Sequence, residues 1–260
     1  MQKITANKIV LKKGKQPITC LTAYSSPMAK ILDKYCDIIL VGDSVSNVLY
    51  GMKSTKEMDI ETMILHAKAV KKTAKRSLVV FDMPYKTYIN KFIAYKNAKK
   101  IIRLTKCDAV KLEGGKNICN IIMYLVKKGI KVMGHVGLLP QSTNQFKLKG
   151  RNSIEKKKIL ADAIALSKAG VFSIVIECVV ENLAKRITNI VKVPTIGIGA
   201  SKYCDGQILV TDDIIGLSDF RPRFVKKYSD IKKVIEKSVK NYCSDVKKKK
   251  FPSNLNVYKF

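Results

Sequence analysis

The chain has 260 residues, of which 47% are hydrophobic, enough to bury a real core and too apolar for a disordered segment. Its apolar runs are short, as at Val171–Ile176, which excludes a membrane-spanning helix, since that takes roughly 20 residues. The net charge of +30 invites a nucleic-acid reading. However, of the 50 basic residues only Arg76, Arg103, Arg151, Arg186, Arg221 and Arg223 are arginine, the lysines are spread along most helices and the tail, and no zinc knuckle or helix-turn-helix accompanies them.

Met1-Gln2-Lys3-Ile4-Thr5 begins no apolar signal region, so a cytoplasmic address is the expectation. Short runs rich in Val and Ile then recur along the chain. They are Ile18–Tyr24, Asp37–Ser44, Leu78–Pro84, Asp108–Gly114, Lys131–Leu138, Phe172–Val179, Pro194–Ala200 and Gln207–Asp212. Continuous apolar character, rather than alternation, marks strands covered on both faces. Helical spacing fills the intervals at Pro27–Lys34, Thr55–Thr73, Asn90–Thr105, Asn117–Lys128, Ser153–Ala169 and Glu181–Val191. Gly129 and Gly170 stand where helix ends are expected, and Asn152-Ser153-Ile154-Glu155 offers a helix start.

Strand–helix alternation implies parallel pairing with right-handed crossovers. Carried through this many units, it predicts an α/β fold of the (β/α)8 TIM-barrel type, with a doubly wound open sheet as the alternative. Arg223 to Val246 reads as one or two helices outside the barrel, and residues 247–260 as a basic irregular tail. No internal repeat or Pro/Gly/Ser-rich linker interrupts the chain, so residues 1–260 are expected to form a single domain. The seven cysteines are scattered without a C-x-x-C pair, which points to reduced, mostly buried thiols rather than disulfides or a thiolate zinc site.

Polar residues gather at the strand ends. The second strand candidate closes on Asp43-Ser44, the third on Asp82, the fourth on Lys111-Leu112-Glu113, and the sixth on Glu177, while the fifth carries His135. In a parallel barrel these positions converge on the C-terminal face, where catalytic groups sit. Burying a carboxylate beside an apolar strand is costly unless it is paired or binds a metal. A lone Asp after a strand is as often a turn residue or helix cap. Capping does not account for Asp82 and Glu177, which lie within their runs. Oxygen donors without clustered Cys or His suit Mg²⁺, or Mn²⁺, rather than zinc. Such an ion polarises a carbonyl, a neighbouring Lys neutralises a substrate carboxylate, and a separate carboxylate serves as general base. The ensemble fits proton abstraction beside the carbonyl of a keto acid. His135, at a strand end, is a candidate site-lining residue, whereas His66 lies in a helical pattern and reads as a packed or surface histidine. Gly197-Ile-Gly199-Ala200 lacks the third glycine of a dinucleotide loop.

Several stretches together resemble the ketopantoate hydroxymethyltransferase family. They are Thr22-Ala-Tyr24, Ile39-Leu-Val-Gly-Asp-Ser44, His66-Ala-Lys-Ala-Val70, Asp82-Met-Pro84, Asp108-Ala-Val-Lys-Leu-Glu-Gly-Gly115, Val132-Met-Gly-His-Val-Gly-Leu138, Pro140-Gln-Ser142, Ile176-Glu-Cys-Val179, Pro194-Thr-Ile-Gly-Ile-Gly-Ala200 and Asp205-Gly-Gln-Ile-Leu-Val210. The resemblance runs nearly the whole chain in colinear order. It implies a (β/α)8 barrel, one Mg²⁺ per subunit, and 5,10-methylenetetrahydrofolate as co-substrate. It assigns Asp43 and Asp82 to the metal, with Glu113 completing the shell directly or through water. Asp43, Ser44, Asp82 and Lys111 would contact the keto acid, and Glu177 would be the proton acceptor.

The implied reaction converts 3-methyl-2-oxobutanoate to 2-dehydropantoate, the first committed step toward pantothenate. The keto acid chelates Mg²⁺, a proton leaves C3, and the enolate attacks the folate-borne methylene. A homo-oligomer, a decamer by resemblance, is also implied. The chain departs from the family after Asn144-Gln145-Phe146, where Lys147-Leu-Lys-Gly-Arg151 follows in place of a longer loop containing Gly-Gly-Tyr. The alternative enzyme reading is a related metal-dependent barrel lyase acting on keto acids or phosphoenolpyruvate.

Overall fold

The computed structural model describes residues 2–143 and 147–259, so the departure at Asn144, Gln145 and Phe146 lies outside the described residues. The chain divides into two compact units, residues 1–210 and 211–260.

The first unit opens with α1 (Ala6–Leu11), capped by the Thr5 hydroxyl. It continues through β1 (Ile18–Thr22), α2 (Ser26–Leu32), β2 (Ile38–Val41), α3 (Val45–Val48), α4 (Ile60–Thr73), β3 (Leu78–Asp82) and α5 (Lys91–Thr105). Next come β4 (Ala109–Glu113), α6 (Cys119–Lys127), β5 (Val132–Gly137), α7 (Ser153–Ala169), β6 (Ser173–Glu177), α8 (Glu181–Ile190), β7 (Thr195–Ile198) and β8 (Gly206–Leu209). The strands close in sequence order into a parallel barrel, with β1 bonded to both β2 and β8. This is the expected (β/α)8 barrel.

The helices start and stop for identifiable reasons. Asn152 accepts from the backbone of Glu155 to open α7, and Gly170, at φ 92°, ends it in the left-handed region. The expected helix at Thr55–Thr73 is broken: Thr55–Glu57 forms a separate 3-10 turn with a capping box, and Asp59 caps α4 afresh. The last strand ends at Leu209 rather than reaching Asp212.

Two apolar layers form. Outward strand residues such as Ile39, Val79, Phe81, Val110 and Ile174 pack with the helices. Inward residues, including Ile18, Ile38, Leu40, Leu78, Val80, Ala109, Met133 and Val175, fill the barrel interior together with Ile4, Ala6 and Ile9 from the N-terminal segment. Helix α1 therefore closes the N-terminal end of the barrel. Ionic contacts hold it there. Lys12 bonds Asp37 at 2.6 Å, Lys13 bonds Asp205 at 2.8 Å, and Lys3 bonds Asp108 at 2.8 Å.

The second unit contains α9 (Thr211–Ile214), where Asp212 and Asp213 occupy the helix's first turn, and α10 (Ile231–Lys247). No helix among the described residues is long and apolar enough to cross a membrane.

Candidate active site

Strand parity builds the site. Side chains alternate along a strand, so those that follow interior residues at a spacing of two also point inward. Along β3, Leu78 and Val80 lie in the interior, and Asp82 is next in that series. Along β4 the series runs Ala109, Lys111, Glu113; along β5, Met133 and His135; along β6, Val175 and Glu177. Strand register sets Asp82 beside Lys111 and Glu113 beside His135. The barrel interior is therefore apolar at its N-terminal end and ionic at its C-terminal end.

Asp43 and Ser44 enter from the turn after β2. Ser44 precedes α3 but makes no side-chain cap; its hydroxyl instead lies 2.8 Å from the Tyr24 hydroxyl. Asp43 donates its backbone N–H toward Asp82 Oδ2 at 3.4 Å. Lys111 Nζ donates to both oxygens of Asp82, at 2.9 and 2.8 Å, and lies 3.5 Å from Glu113. His135 stands between two carboxylates, with Nδ1 3.3 Å from Glu113 and Nε2 3.3 Å from Glu177. Neither contact is aligned well enough to be a hydrogen bond, so both are ion-pair contacts. Asp82 and His135 are each only 1% exposed, whereas Glu177 is partly open.

Electrostatics follow from this crowding. Burial, then repulsion from Asp82 and Glu113, pushes the Asp43 carboxyl well above its usual range. Burial also raises Asp82, against the opposing pull of Lys111. At Glu113 burial is outweighed by Lys111 and His135, which bring the carboxyl down to about 2. Burial and Lys111 work against protonation of His135, but Glu113 and Glu177 prevail and raise it to about 9. Lys111 is likewise held charged, because Asp82, Glu113 and Asp43 overcome the cost of burying it. Every sequence-derived candidate thus lies at one end of the barrel. His66 is bonded elsewhere, its Nδ1 2.7 Å from the Tyr24 carbonyl and its Nε2 2.9 Å from the Tyr50 hydroxyl.

Could this cluster hold a divalent cation? Asp43, Asp82 and Glu113 supply hard oxygen donors and more negative charge than Lys111 alone offsets. Among the described residues no group of three acidic, His or Cys side chains encloses an ion by itself. Mg²⁺ usually takes one or two carboxylates and leaves its other positions to water and substrate, so two of these side chains would suffice to hold it.

The pattern of the ketopantoate hydroxymethyltransferase family matches residues 3–254. The chain belongs to that family. A 3-methyl-2-oxobutanoate hydroxymethyltransferase of Pelagibacter ubique is 54% identical over 249 residues, covering 96% of this chain and 97% of the relative. The enzyme of the same name from Bartonella quintana is 48% identical, covering 100% of this chain and 96% of its own. Among solved structures, phosphonopyruvate hydrolase in complex with oxalate and Mg²⁺ superposes with a TM-score of 0.64 at 12% identity, covering 98% of this chain and 93% of that one. At that identity the likeness concerns the barrel alone.

Two residues of this family member escaped the reading of strand ends. Gln141, 1% exposed, lies in the loop after β5 and donates from Nε2 to Asp43 Oδ2 at 2.8 Å. Tyr88, between β3 and α5, donates to Gln141 Oε1 at 2.6 Å. Neither is charged nor on a strand. The one sequence signal for Gln141 was its place in the Pro140-Gln-Ser142 motif.

Proposed function

We propose that this chain transfers a hydroxymethyl group from 5,10-methylenetetrahydrofolate to 3-methyl-2-oxobutanoate, giving 2-dehydropantoate and tetrahydrofolate, with water supplying the hydroxyl oxygen. The observation that carries this reading is the division of the buried carboxylates. Asp43, Asp82 and Glu113 gather about Lys111, while Glu177 is held apart beyond His135.

Asp43 and Asp82 would hold Mg²⁺, with Glu113 reaching it through water because its own oxygens already face Gln141 N, Lys111 and His135. When bound, the ion supplies Lewis-acid polarisation of the keto oxygen. Lys111 neutralises the substrate carboxylate from a buried position, where a charge–charge contact is worth more than in water. Ser44, fixed by Tyr24, borders the same pocket of charge and orients the keto acid. Glu177 removes the C3 proton, which a carboxylate can do within hydrogen-bond reach. Protonated His135 stands between Glu177 and Glu113 and shields the one carboxylate from the other. Water frees the methylene carbon from the folate nitrogens as formaldehyde, leaving tetrahydrofolate; the electron pair released at C3 forms the new carbon–carbon bond to that carbon, whose oxygen takes up a proton and becomes the product hydroxyl.

We further propose a cytoplasmic homo-oligomer, a decamer by family resemblance, acting on small molecules. The deciding assay is purified protein with Mg²⁺, the keto acid and methylenetetrahydrofolate. Dehydropantoate is the expected product; its absence with a competent folate donor would overturn the proposal.

A further inference from the structure

An amide side chain has two N–H donors and one carbonyl acceptor. Those of Gln141 are matched on both sides. Nε2 donates to Asp43 Oδ2 at 2.8 Å and to the Met83 carbonyl at 3.0 Å, and Oε1 accepts from the Tyr88 hydroxyl at 2.6 Å. The orientation is fixed by chemistry, since a flipped amide would turn its oxygen toward two acceptors. The backbone N–H of Gln141 also donates to Glu113 Oε2 at 3.1 Å. Tyr88 accepts in turn from the Glu113 N–H at 3.3 Å. One buried residue therefore ties together the chain after β2, the chain after β3, the end of β4 and the loop after β5. It gives one hydrogen bond to each of two carboxylates that repel one another.

We propose that Gln141, backed by Tyr88, is a positioning residue that sets the carboxylates of Asp43 and Glu113 for a divalent cation and couples that setting to the loop after β5. The inference rests on Asp43 being a metal ligand. Hydrogen bonds to ligating carboxylates orient them, and their loss commonly costs about 10–100-fold in metal affinity. Gln141 does not touch the ion or the reacting atoms; it acts through Asp43 and Glu113.

The test uses Mn²⁺ alone as probe, titrated into the full-length wild type, Gln141→Met and Tyr88→Phe, with free Mn²⁺ followed by electron paramagnetic resonance. Circular dichroism checks folding. Gln141→Met keeps the volume but offers no donor, and should weaken Mn²⁺ binding about 10–100-fold. Tyr88→Phe keeps the ring and leaves Gln141 less constrained, with a several-fold loss expected; it carries the test alone if Gln141→Met does not fold. A merely structural role would lower the melting temperature and leave Mn²⁺ affinity unmoved, and that result in a folded variant overturns the proposal. Failure of the wild type itself to bind Mn²⁺ would instead overturn the ligand assignment of Asp43, and this inference with it.

Discussion

Lys111 holds both carboxylate oxygens of Asp82, at 2.9 and 2.8 Å. Both groups are almost wholly buried, so each depends on the other for compensation of its charge. A divalent cation at Asp43 and Asp82 would compensate the same carboxylates. On the proposed metal site, lysine and ion would be partial substitutes in stability while remaining distinct in function.

Lys111→Met should therefore destabilise the protein by about 3–5 kcal/mol in chelator, the usual cost of orphaning a buried charge. Mg²⁺ should restore more stability to the variant than it adds to the wild type. Scanning calorimetry with and without Mg²⁺ measures this. An equal Mg²⁺ response in both proteins would show that lysine and ion act on separate groups.

Glu177→Gln should abolish exchange of the C3 proton of 3-methyl-2-oxobutanoate, a loss of about 10²–10⁴-fold, with Mn²⁺ affinity unchanged. Proton exchange in deuterated solvent, without folate, isolates this step. Wild-type exchange in the variant removes Glu177 as the base.

Gly137 pairs with Glu177 across β5 and β6, and a Cβ at Gly137 would fall 2.3 Å from the Glu177 carbonyl oxygen. Its φ of 99° adds strain for any L side chain. Gly137→Ala should cost about 1–3 kcal/mol and displace the base. A melting curve and a kcat measurement together test this. If stability falls while kcat per folded molecule is retained, the backbone contact has no bearing on Glu177.

Asp33, which ends α2, accepts backbone N–H groups from Lys75, Arg76 and Ser77. Burial raises its carboxyl, but these donors more than offset that and hold it below its ordinary value of 3.8. The folded value is depressed, so this stabilisation is present above about pH 4 and is lost as pH falls through the folded value. Asp33→Asn should cost about 1–2 kcal/mol at neutral pH and flatten the acid limb of the stability profile. Urea midpoints between pH 2 and 7 read both effects; parallel profiles for the two proteins would contradict the assignment.

The sequence told the fold well and the site in part. Strands buried on both faces announce themselves as apolar runs: seven of the eight runs contain a barrel strand whole, and the eighth overlaps β8, which starts one residue earlier at Gly206. Double burial also conceals which residues face inward. The spacing of Lys111 and Glu113 within β4 was the visible trace of that alternation. Helix α7 was legible because Asn152 and Gly170 mark its ends, whereas α1 was missed: its six residues are too few to show a helical period. Likewise the eighth strand was read on through Thr211 to Asp212, although an acidic residue there favours the first turn of a helix. Charged groups at strand ends are conspicuous because their burial needs a reason. Gln141 and Tyr88 carry no such flag: an uncharged polar residue in a loop looks ordinary until its partner, 98 residues away in the case of Asp43, is placed beside it.

The lysines that fasten α1 to the base of the barrel also bear on how the chain assembles. Lys13 and Gly14 meet Asp205 across separations of 192 and 191 residues. Seen from the ribosome, these early residues are synthesised long before their partner exists. β1, likewise, waits for β8 before the ring can shut. Such non-local pairing slows folding and leaves the interior surfaces of the early strands open meanwhile. The ion pair of Lys13 with Asp205, and the Gly14 N–H bond beside it, thus form only when the last strand has arrived, and their formation marks a finished barrel.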